Sequence, residues 1–178
     1  MKRTLYLFMM VAGLILASCE KEEVGGTASQ KLAGDWYVTV VAVDDKDSLI
    51  YSDADLFGLG TFQLLAYNAS SNTDSIWIDD MGALGDFSLD FKTKLSVDLS
   101  KATFGSASDT LSNPYEENNV VITNGKILYG VAKTPSGMNA DSIVFNVWFD
   151  SDTNPADYGY AKYRIAGYRR TGLTADEP

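Results

Sequence analysis

Residues 87–99 read Phe-Ser-Leu-Asp-Phe-Lys-Thr-Lys-Leu-Ser-Val-Asp-Leu, and apolar and polar side chains alternate along the whole stretch. Six of its seven odd-numbered positions are apolar, whereas none of the even-numbered positions is. Successive side chains of a β-strand point to opposite faces, so this period of two predicts an extended strand with one buried face. Ordering each backbone residue costs about 1–2 kcal/mol, so the strand must share its core with neighbouring strands.

The chain around this stretch supplies those neighbours. No segment after residue 30 has the 3.6-residue periodicity of an amphipathic helix, and short polar turns separate further strand-like segments. These segments are residues 34–43, 61–67, 75–79, 120–123, 126–129, 142–150 and 160–171. We therefore predict an all-β fold, an antiparallel up-and-down barrel of about eight strands, because closing the sheet removes its unpaired edges.

The dipeptide Asn124-Gly125 lies between two apolar runs, 120–123 and 126–129. Both residues tolerate positive φ, so this arrangement is typical of a type I′ hairpin turn. A hairpin at this point would place Ile122 opposite Ile127 and Val120 opposite Tyr129.

Composition excludes several classes of function. The 178-residue chain has a net charge of −10 and no basic cluster, so nucleic acid is excluded as a partner. It contains no histidine, which excludes histidine-based nucleophilic catalysis and histidine-ligated metals. Its single cysteine cannot form an intramolecular disulfide. We expect a monomer without metal or cofactor.

The amino terminus has the pattern of an export signal. Lys2 and Arg3 precede an apolar run at residues 5–16, which is too short to span a bilayer as a helix. The run ends in Leu16-Ala17-Ser18-Cys19, which resembles a bacterial lipobox. This resemblance implies a lipoprotein signal peptide at 1–18 and acylation of Cys19, which would hold the mature protein at a membrane.

The residues after Cys19 predict a tether and a location. Glu20-Lys21-Glu22-Glu23 resembles the lipoprotein export signal of Bacteroidetes, which implies an outer-membrane lipoprotein of the cell envelope exposed at the cell surface. The glycine- and serine-containing stretch that follows is typical of a flexible linker. We therefore divide the chain into a tether at 19–31, a β-barrel domain at 32–173 and a tail at 174–178.

Gly34-Asp35-Trp36 opens the first predicted strand and resembles the G-x-W signature of lipocalins and their calycin relatives. In that family the tryptophan closes one end of the barrel beneath an arginine of the last strand. The resemblance implies that Trp36 has this role, with Arg164, Arg169 or Arg170 as its partner.

Four further motifs extend the resemblance over residues 30–178. They are 74–80 (Asp-Ser-Ile-Trp-Ile-Asp-Asp), 124–126 (Asn-Gly-Lys), 141–143 (Asp-Ser-Ile) and 167–172 (Gly-Tyr-Arg-Arg-Thr-Gly). Together they resemble a Bacteroides lipoprotein family called the lipid-binding putative hydrolases, which is calycin-like. The resemblance implies a barrel that binds a lipid or another small apolar molecule.

The apolar face of 87–99 would form the inner wall of such a pocket. The candidate ligand-binding residues are Trp36, Trp77, Phe87, Leu89, Phe91, Leu95, Tyr129 and Phe145. The alternative interpretation is that these side chains fill the barrel as its core.

Two other functions stay open at this stage. A surface glycan-binding or assembly module would stack sugars on exposed aromatic residues, for which Trp148, Tyr158, Tyr160 and Tyr163 are candidates. A hydrolase would need a pair of carboxylates, such as Asp79 with Asp80 or Asp150 with Asp152. The sequence selects no such pair, so we name no catalytic residue.

Overall fold

The computed structural model describes residues 29–70, 74–106 and 109–178, and the predicted signal peptide and Cys19 lie outside these residues. The described residues form ten strands: β1 (Gly34–Val43), β2 (Leu49–Tyr51), β3 (Phe62–Asn68), β4 (Ser75–Asp79), β5 (Lys92–Asp98), β6 (Thr103–Gly105), β7 (Leu111–Ser112), β8 (Asn119–Lys133), β9 (Asn139–Phe149) and β10 (Lys162–Arg169). Two short α-helices, Asp53–Leu56 and Asn154–Tyr158, and two 3₁₀ turns, Gly85–Phe87 and Thr174–Asp176, complete the described elements.

Eight of these strands close into an antiparallel barrel in the order β1, β3, β4, β5, β6, β8, β9 and β10. The seam pairs β1 with β10 over eight residue pairs, from Trp36 opposite Arg169 to Val43 opposite Lys162. Strand β2 pairs beside β1, and β7 pairs beside β8. The predicted up-and-down barrel is confirmed.

Residues 87–99 form a strand only in the second half of this stretch. Strand β5 begins at Lys92, whereas Gly85–Phe87 is a 3₁₀ turn and Ser88 has a left-handed φ of 55°. The predicted strand over 87–99 is therefore wrong before residue 92. Residues 80–91 form a loop over one barrel end, which we call the lid, and this end is the lid end.

The predicted hairpin at Asn124-Gly125 is also wrong. Strand β8 runs through both residues, and the register of β8 against β9 shifts between Thr123 and Lys126. Asn124 has a φ of 57°, so the conformational freedom of this dipeptide forms a β-bulge in place of a turn. The partner of Val120 is accordingly Phe149 on β9.

At the opposite barrel end, which we call the Trp36 end, β1 begins and β10 finishes. Leu32 is buried there beside the core. The tail at 174–178 packs on the barrel, because the buried Asp176 carboxylate accepts hydrogen bonds from Ser136 N–H and the Thr171 hydroxyl. In the described ranges no helix has the length and apolar character needed to cross a bilayer.

Candidate functional site

The barrel interior is filled by its own side chains. The rings of Phe145 and Phe149 lie 6.2 Å and 5.9 Å from the ring of Phe91, measured between centroids, and Phe104 lies 5.7 Å from Phe145. Phe91, Phe145 and Phe149 retain no solvent-accessible surface. A side chain that bordered a water-sized cavity would keep some accessible surface, so these residues pack against protein atoms on all sides.

The structure separates the predicted pocket residues into two groups. One group belongs to the packed core, namely Trp36, Leu89, Phe91, Leu95 and Phe145. The other group lies outside the core: Trp77 is half-buried on β4, Phe87 lies on the lid against Phe57, and Tyr129 is 51% exposed on β8. The eight residues therefore do not surround one interior space.

Trp36 and Arg169 meet at the Trp36 end. The guanidinium carbon of Arg169 lies 4.3 Å from the centroid of the Trp36 ring. The same guanidinium donates hydrogen bonds to the carbonyl oxygens of Ala33 and Lys31, at 2.5 Å and 3.0 Å, and pairs with Asp141 at 3.1 Å. Arg169 therefore binds the segment before β1 to the barrel, whereas Arg164 lies elsewhere, beside Asp47.

A groove of about 1200 Å³ lies on the outer face of the barrel. Phe145 and Val147 point inward, so Val144 and Asn146 between them point outward. We call this cleft the outer groove. Its lining residues are Asp47, Ser96, Val97, Asp98, Thr103, Gly105, Thr123, Asn124, Gly125, Lys126, Leu128, Val144, Asn146 and Arg164, and the buried rings of Phe104 and Phe145 border it from the core side.

Strand register explains how residues from five strands line this groove. One row across the sheet joins Arg164 on β10, Asn146 on β9 and Thr123 on β8. A second row joins Val144 on β9, Lys126 on β8, Thr103 on β6 and Asp98 on β5. The β8 bulge lies between the two rows, and a bulge bends its strand, which allows a concave surface on a barrel wall.

The groove combines charged, polar and apolar groups. Asp47 reaches it from the β1–β2 turn and binds Lys162 at 3.1 Å, Arg164 at 3.2 Å and the Asn146 side-chain amide at 2.8 Å. Partial burial opposes ionisation of Asp47, but the hydrogen bonds from Lys162 and Asn146 lower its pKa below the ordinary value. Lys126 has no ion-pair partner among the residues with described positions. The groove therefore offers a free ammonium group beside hydroxyl, amide and aliphatic groups.

A second polar cluster lies on the outer face of β3, β4 and β5. The Lys92 ammonium lies 5.6–6.0 Å from the centroids of three aromatic rings, those of Tyr67, Trp77 and Tyr115, and 3.2 Å from the carboxylate of Asp79. Asp79 also accepts a hydrogen bond of 2.7 Å from the Tyr115 hydroxyl. Burial and this hydrogen bond raise the pKa of Tyr115 to about 12. The ammonium of Lys92, the carboxylate of Asp79 and the hydroxyl of Tyr115 bind within the cluster, so they form a network that is complete without a ligand.

The candidate catalytic acids are all engaged in structural hydrogen bonds. Asp150 accepts from the backbone N–H and side-chain amide of Asn119, and Asp152 accepts from the Tyr163 hydroxyl at 2.6 Å. Asp79 belongs to the Lys92 cluster, and Asp80 holds the lid. Among the described residues, no three Cys, His, Asp or Glu side chains gather as metal ligands would.

Two of the aromatic residues proposed as a sugar platform are not on the surface. Tyr160 and Tyr163 are buried, and their hydroxyl groups lie 2.6 Å apart. Trp148 and Tyr158 are exposed. The expectation of a four-residue exposed platform is therefore wrong, because β10 turns the Tyr163 ring into the core against Phe149.

Asp80 is fully buried and accepts hydrogen bonds from the backbone N–H groups of Gly82, Leu84 and Phe91, at 3.0–3.1 Å. Burial raises the pKa of this carboxyl from 3.8 to about 6, although the three N–H donors favour its charged form. One carboxylate thus joins the two ends of the lid.

The raised pKa of Asp80 predicts a pH dependence of stability. At a pH between 3.8, the pKa of the carboxyl in the unfolded chain, and about 6, its pKa in the folded protein, the folded protein holds a proton that the unfolded chain has released. This contribution is therefore present below about pH 4 and is lost as the pH rises through about 6, a loss of about 3 kcal/mol. Urea denaturation of the wild type and of Asp80→Asn, which cannot titrate, should show this change in the difference between their free energies of unfolding. A difference that does not vary with pH would contradict the prediction.

Sequence reasoning did not identify the outer groove. Most of its side chains occupy outward-facing positions of five strands, and the alternation of polar and apolar residues gives no signal of a cleft at those positions. The usable signal was Asn124-Gly125, which predicted a positive φ at the place where β8 bulges.

Comparison with known protein families gives a match over most of the chain. The model of a family described as lipid-binding putative hydrolase matches residues 21–174. No curated protein matches the chain at a significant level.

Proposed function

The chain belongs to the lipid-binding putative hydrolase family, and from this premise we propose that it binds an amphipathic lipid in the outer groove of its barrel. The main support for binding in this groove is that side chains fill the barrel interior, whereas a groove of about 1200 Å³ is open outside it. Ligand pockets usually have volumes of about 300–1,000 Å³, so this groove has room for a lipid headgroup and part of its chain.

The lining of the groove suits a ligand with a polar and an apolar part. Leu128 and Val144 provide aliphatic surface beside the ammonium group of Lys126. A lipid with an anionic headgroup would place its charge at Lys126 and its chain against these aliphatic groups, because an unpaired ammonium binds phosphate or carboxylate oxygens. The ion pair of Asp47 and Arg164 also lines the groove.

We further propose that the protein is a cell-envelope lipoprotein held at the outer membrane through acylated Cys19. This part of the proposal rests on the lipobox-like sequence before Cys19 and the acidic residues after it. Two or more acyl chains on one residue give stable anchoring, whereas one chain gives marginal binding. The domain limits 1–18, 19–31, 32–173 and 174–178 belong to the same proposal.

A bulky residue within the groove should weaken lipid binding. Val144 points outward into the groove opposite Ala166, so Val144→Trp should fill the space beside Lys126 and lower the affinity for palmitate or a short-chain phosphatidylglycerol at least tenfold. Binding would be measured by titration calorimetry on the chain carrying Cys19→Ala, so that no acyl chain of its own competes for the groove.

Thr39→Trp is the matched control, because Thr39 also lies opposite Ala166 and points outward on β1, outside the groove. We expect Thr39→Trp to bind like the parent chain. If both variants bind lipid like the parent, or if the parent binds none, the groove is not a lipid site.

The polar residues of the groove favour one alternative, a surface glycan as the ligand. Thr103, Thr123 and Asn124 offer hydroxyl and amide groups that can hydrogen-bond to sugars. A glycan array probed with the same two tryptophan variants separates the ligands: glycan binding that is lost with Val144→Trp, together with no lipid binding, would establish the alternative. The histidine-free sequence supplies no corresponding support for a hydrolase.

A further inference from the structure

Strands β8 and β9 continue as a two-stranded hairpin beyond the barrel. Strand β10 pairs with β9 only as far as Ser142, whereas β8 and β9, after a register shift between Leu128 and Ala132, pair again up to Lys133 opposite Asn139. Three large apolar side chains of this extension are half or more exposed: Tyr129 at 51%, Val131 at 62% and Met138 at 50%. We call residues 129–141 the apolar hairpin.

The apolar hairpin is held in place at its base and at its tip. Asp141 accepts a hydrogen bond from the backbone N–H of Gly130, and the backbone N–H of Ser136 donates to the buried Asp176 carboxylate. The backbone of Thr134 and Met138 closes the turn between these points. The exposed apolar side chains are therefore presented on a fixed frame.

The described chain begins at the same barrel end. The Ser29 hydroxyl donates to Asn68 at the end of β3, and Lys31 and Ala33 are bound by the Arg169 guanidinium. The same guanidinium pairs with Asp141 at the base of the apolar hairpin. One side chain thus joins the segment that leads toward Cys19 to the hairpin.

The length of the preceding chain limits how far this end can lie from an acyl anchor. Ten residue steps separate Cys19 from Ser29. At 3.3–3.6 Å per residue they span at most about 36 Å. If Cys19 is acylated, as proposed above, the Trp36 end is held near the bilayer.

We propose that the apolar hairpin docks on the lipid bilayer and places Tyr129, Val131 and Met138 in its interface. The inference rests on the proposed acylation of Cys19. Tyrosine is favoured at membrane interfaces because its ring is apolar and its hydroxyl is polar. Lys133 on the hairpin adds a cation in a chain of net charge −10, and a cation near the surface attracts anionic headgroups.

The test uses the full acylated protein in vesicles of phosphatidylethanolamine and phosphatidylglycerol. Cys19 is the one cysteine of the chain, so an introduced cysteine would be the single free thiol after acylation. Val131→Cys would carry an environment-sensitive fluorophore, and nitroxide-labelled lipids would be added as quenchers. We expect a blue shift of the emission and at least threefold quenching.

Leu49→Cys is the matched control, because Leu49 is 61% exposed and lies on β2 near the lid end. Its label should stay in water and keep its emission. Equal quenching at both positions, or no quenching at Val131, would overturn the proposal for vesicle-bound protein. Vesicle flotation separates failure of the docking from failure of the anchor. Protein that does not float with the lipid overturns the acylation and, with it, the docking. Flotation that is lost with Cys19→Ala establishes the anchor.

Discussion

Gly167→Ala is expected to open the barrel at its closing seam and to lower the free energy of unfolding by about 3 kcal/mol or more. Gly167 lies on β10 opposite Val38 on β1. A Cβ atom at this position would overlap the carbonyl oxygen of Tyr37 and lie 2.6 Å from the Cα atom of Val38. Both atoms belong to the backbone of β1, so a side-chain rotation cannot relieve the contact.

Urea denaturation followed by circular dichroism would measure this loss, with Gly85→Ala as the control. A Cβ atom on Gly85 meets its nearest neighbour, the carboxyl group of Asp90, at 3.8 Å, an ordinary van der Waals distance. We expect the control to change stability by less than about 1 kcal/mol. Equal stability of the Gly167→Ala and wild-type proteins would show that β1 and β10 do not approach as closely as described.

Phe91→Ala is expected to lower the free energy of unfolding by about 3–5 kcal/mol, because it leaves a cavity in a filled core. The Phe91 ring has no accessible surface and packs edge to face with Phe145 and Phe149. A hollow, ligand-binding barrel would lose much less, since one wall of the removed ring would already face empty space. The same denaturation experiment therefore measures how tightly the interior is filled.

Phe87→Ala is the control for the core substitution. Phe87 shares the odd-numbered positions of the same sequence stretch, but it lies on the lid, is 37% exposed and contacts Phe57. Its removal should cost less than about 1 kcal/mol. A similar loss for both variants would contradict the distinction between the lid and the core.

The two aromatic residues show how far the alternation rule extends. Phe87 and Phe91 occupy equivalent positions in the pattern, and the pattern predicts the same face for both. The hydrogen bonds of Asp80 to Leu84 and Phe91 instead fold residues 80–91 into the lid. Periodicity describes one strand, whereas a buried carboxylate that joins distant backbone groups belongs to the tertiary structure.

The Trp36 end of the barrel shows the same division between sequence and tertiary structure. Gly34-Asp35-Trp36 and the arginines of the last strand were visible in the sequence, and Arg169 lies over Trp36 in the structure. The choice among three arginines depended on the register of β10 against β1, which places Arg169 opposite Trp36 and Arg164 opposite Val41. No local signal specifies that register, because several residues of β10 could pair with Trp36.

The alternating pattern of residues 91–97 by itself determined a strand with one dry face, and the repetition of such strands determined a closed antiparallel barrel. These features follow from local geometry, since the period of side-chain direction is a property of the extended backbone. Whether the dry faces enclose a ligand or one another depends on the volumes of side chains far apart in sequence. Only the tertiary structure decided that Phe91, Phe145 and Phe149 fill the interior, and that the β8 bulge and the cross-strand rows of polar residues form a groove outside it.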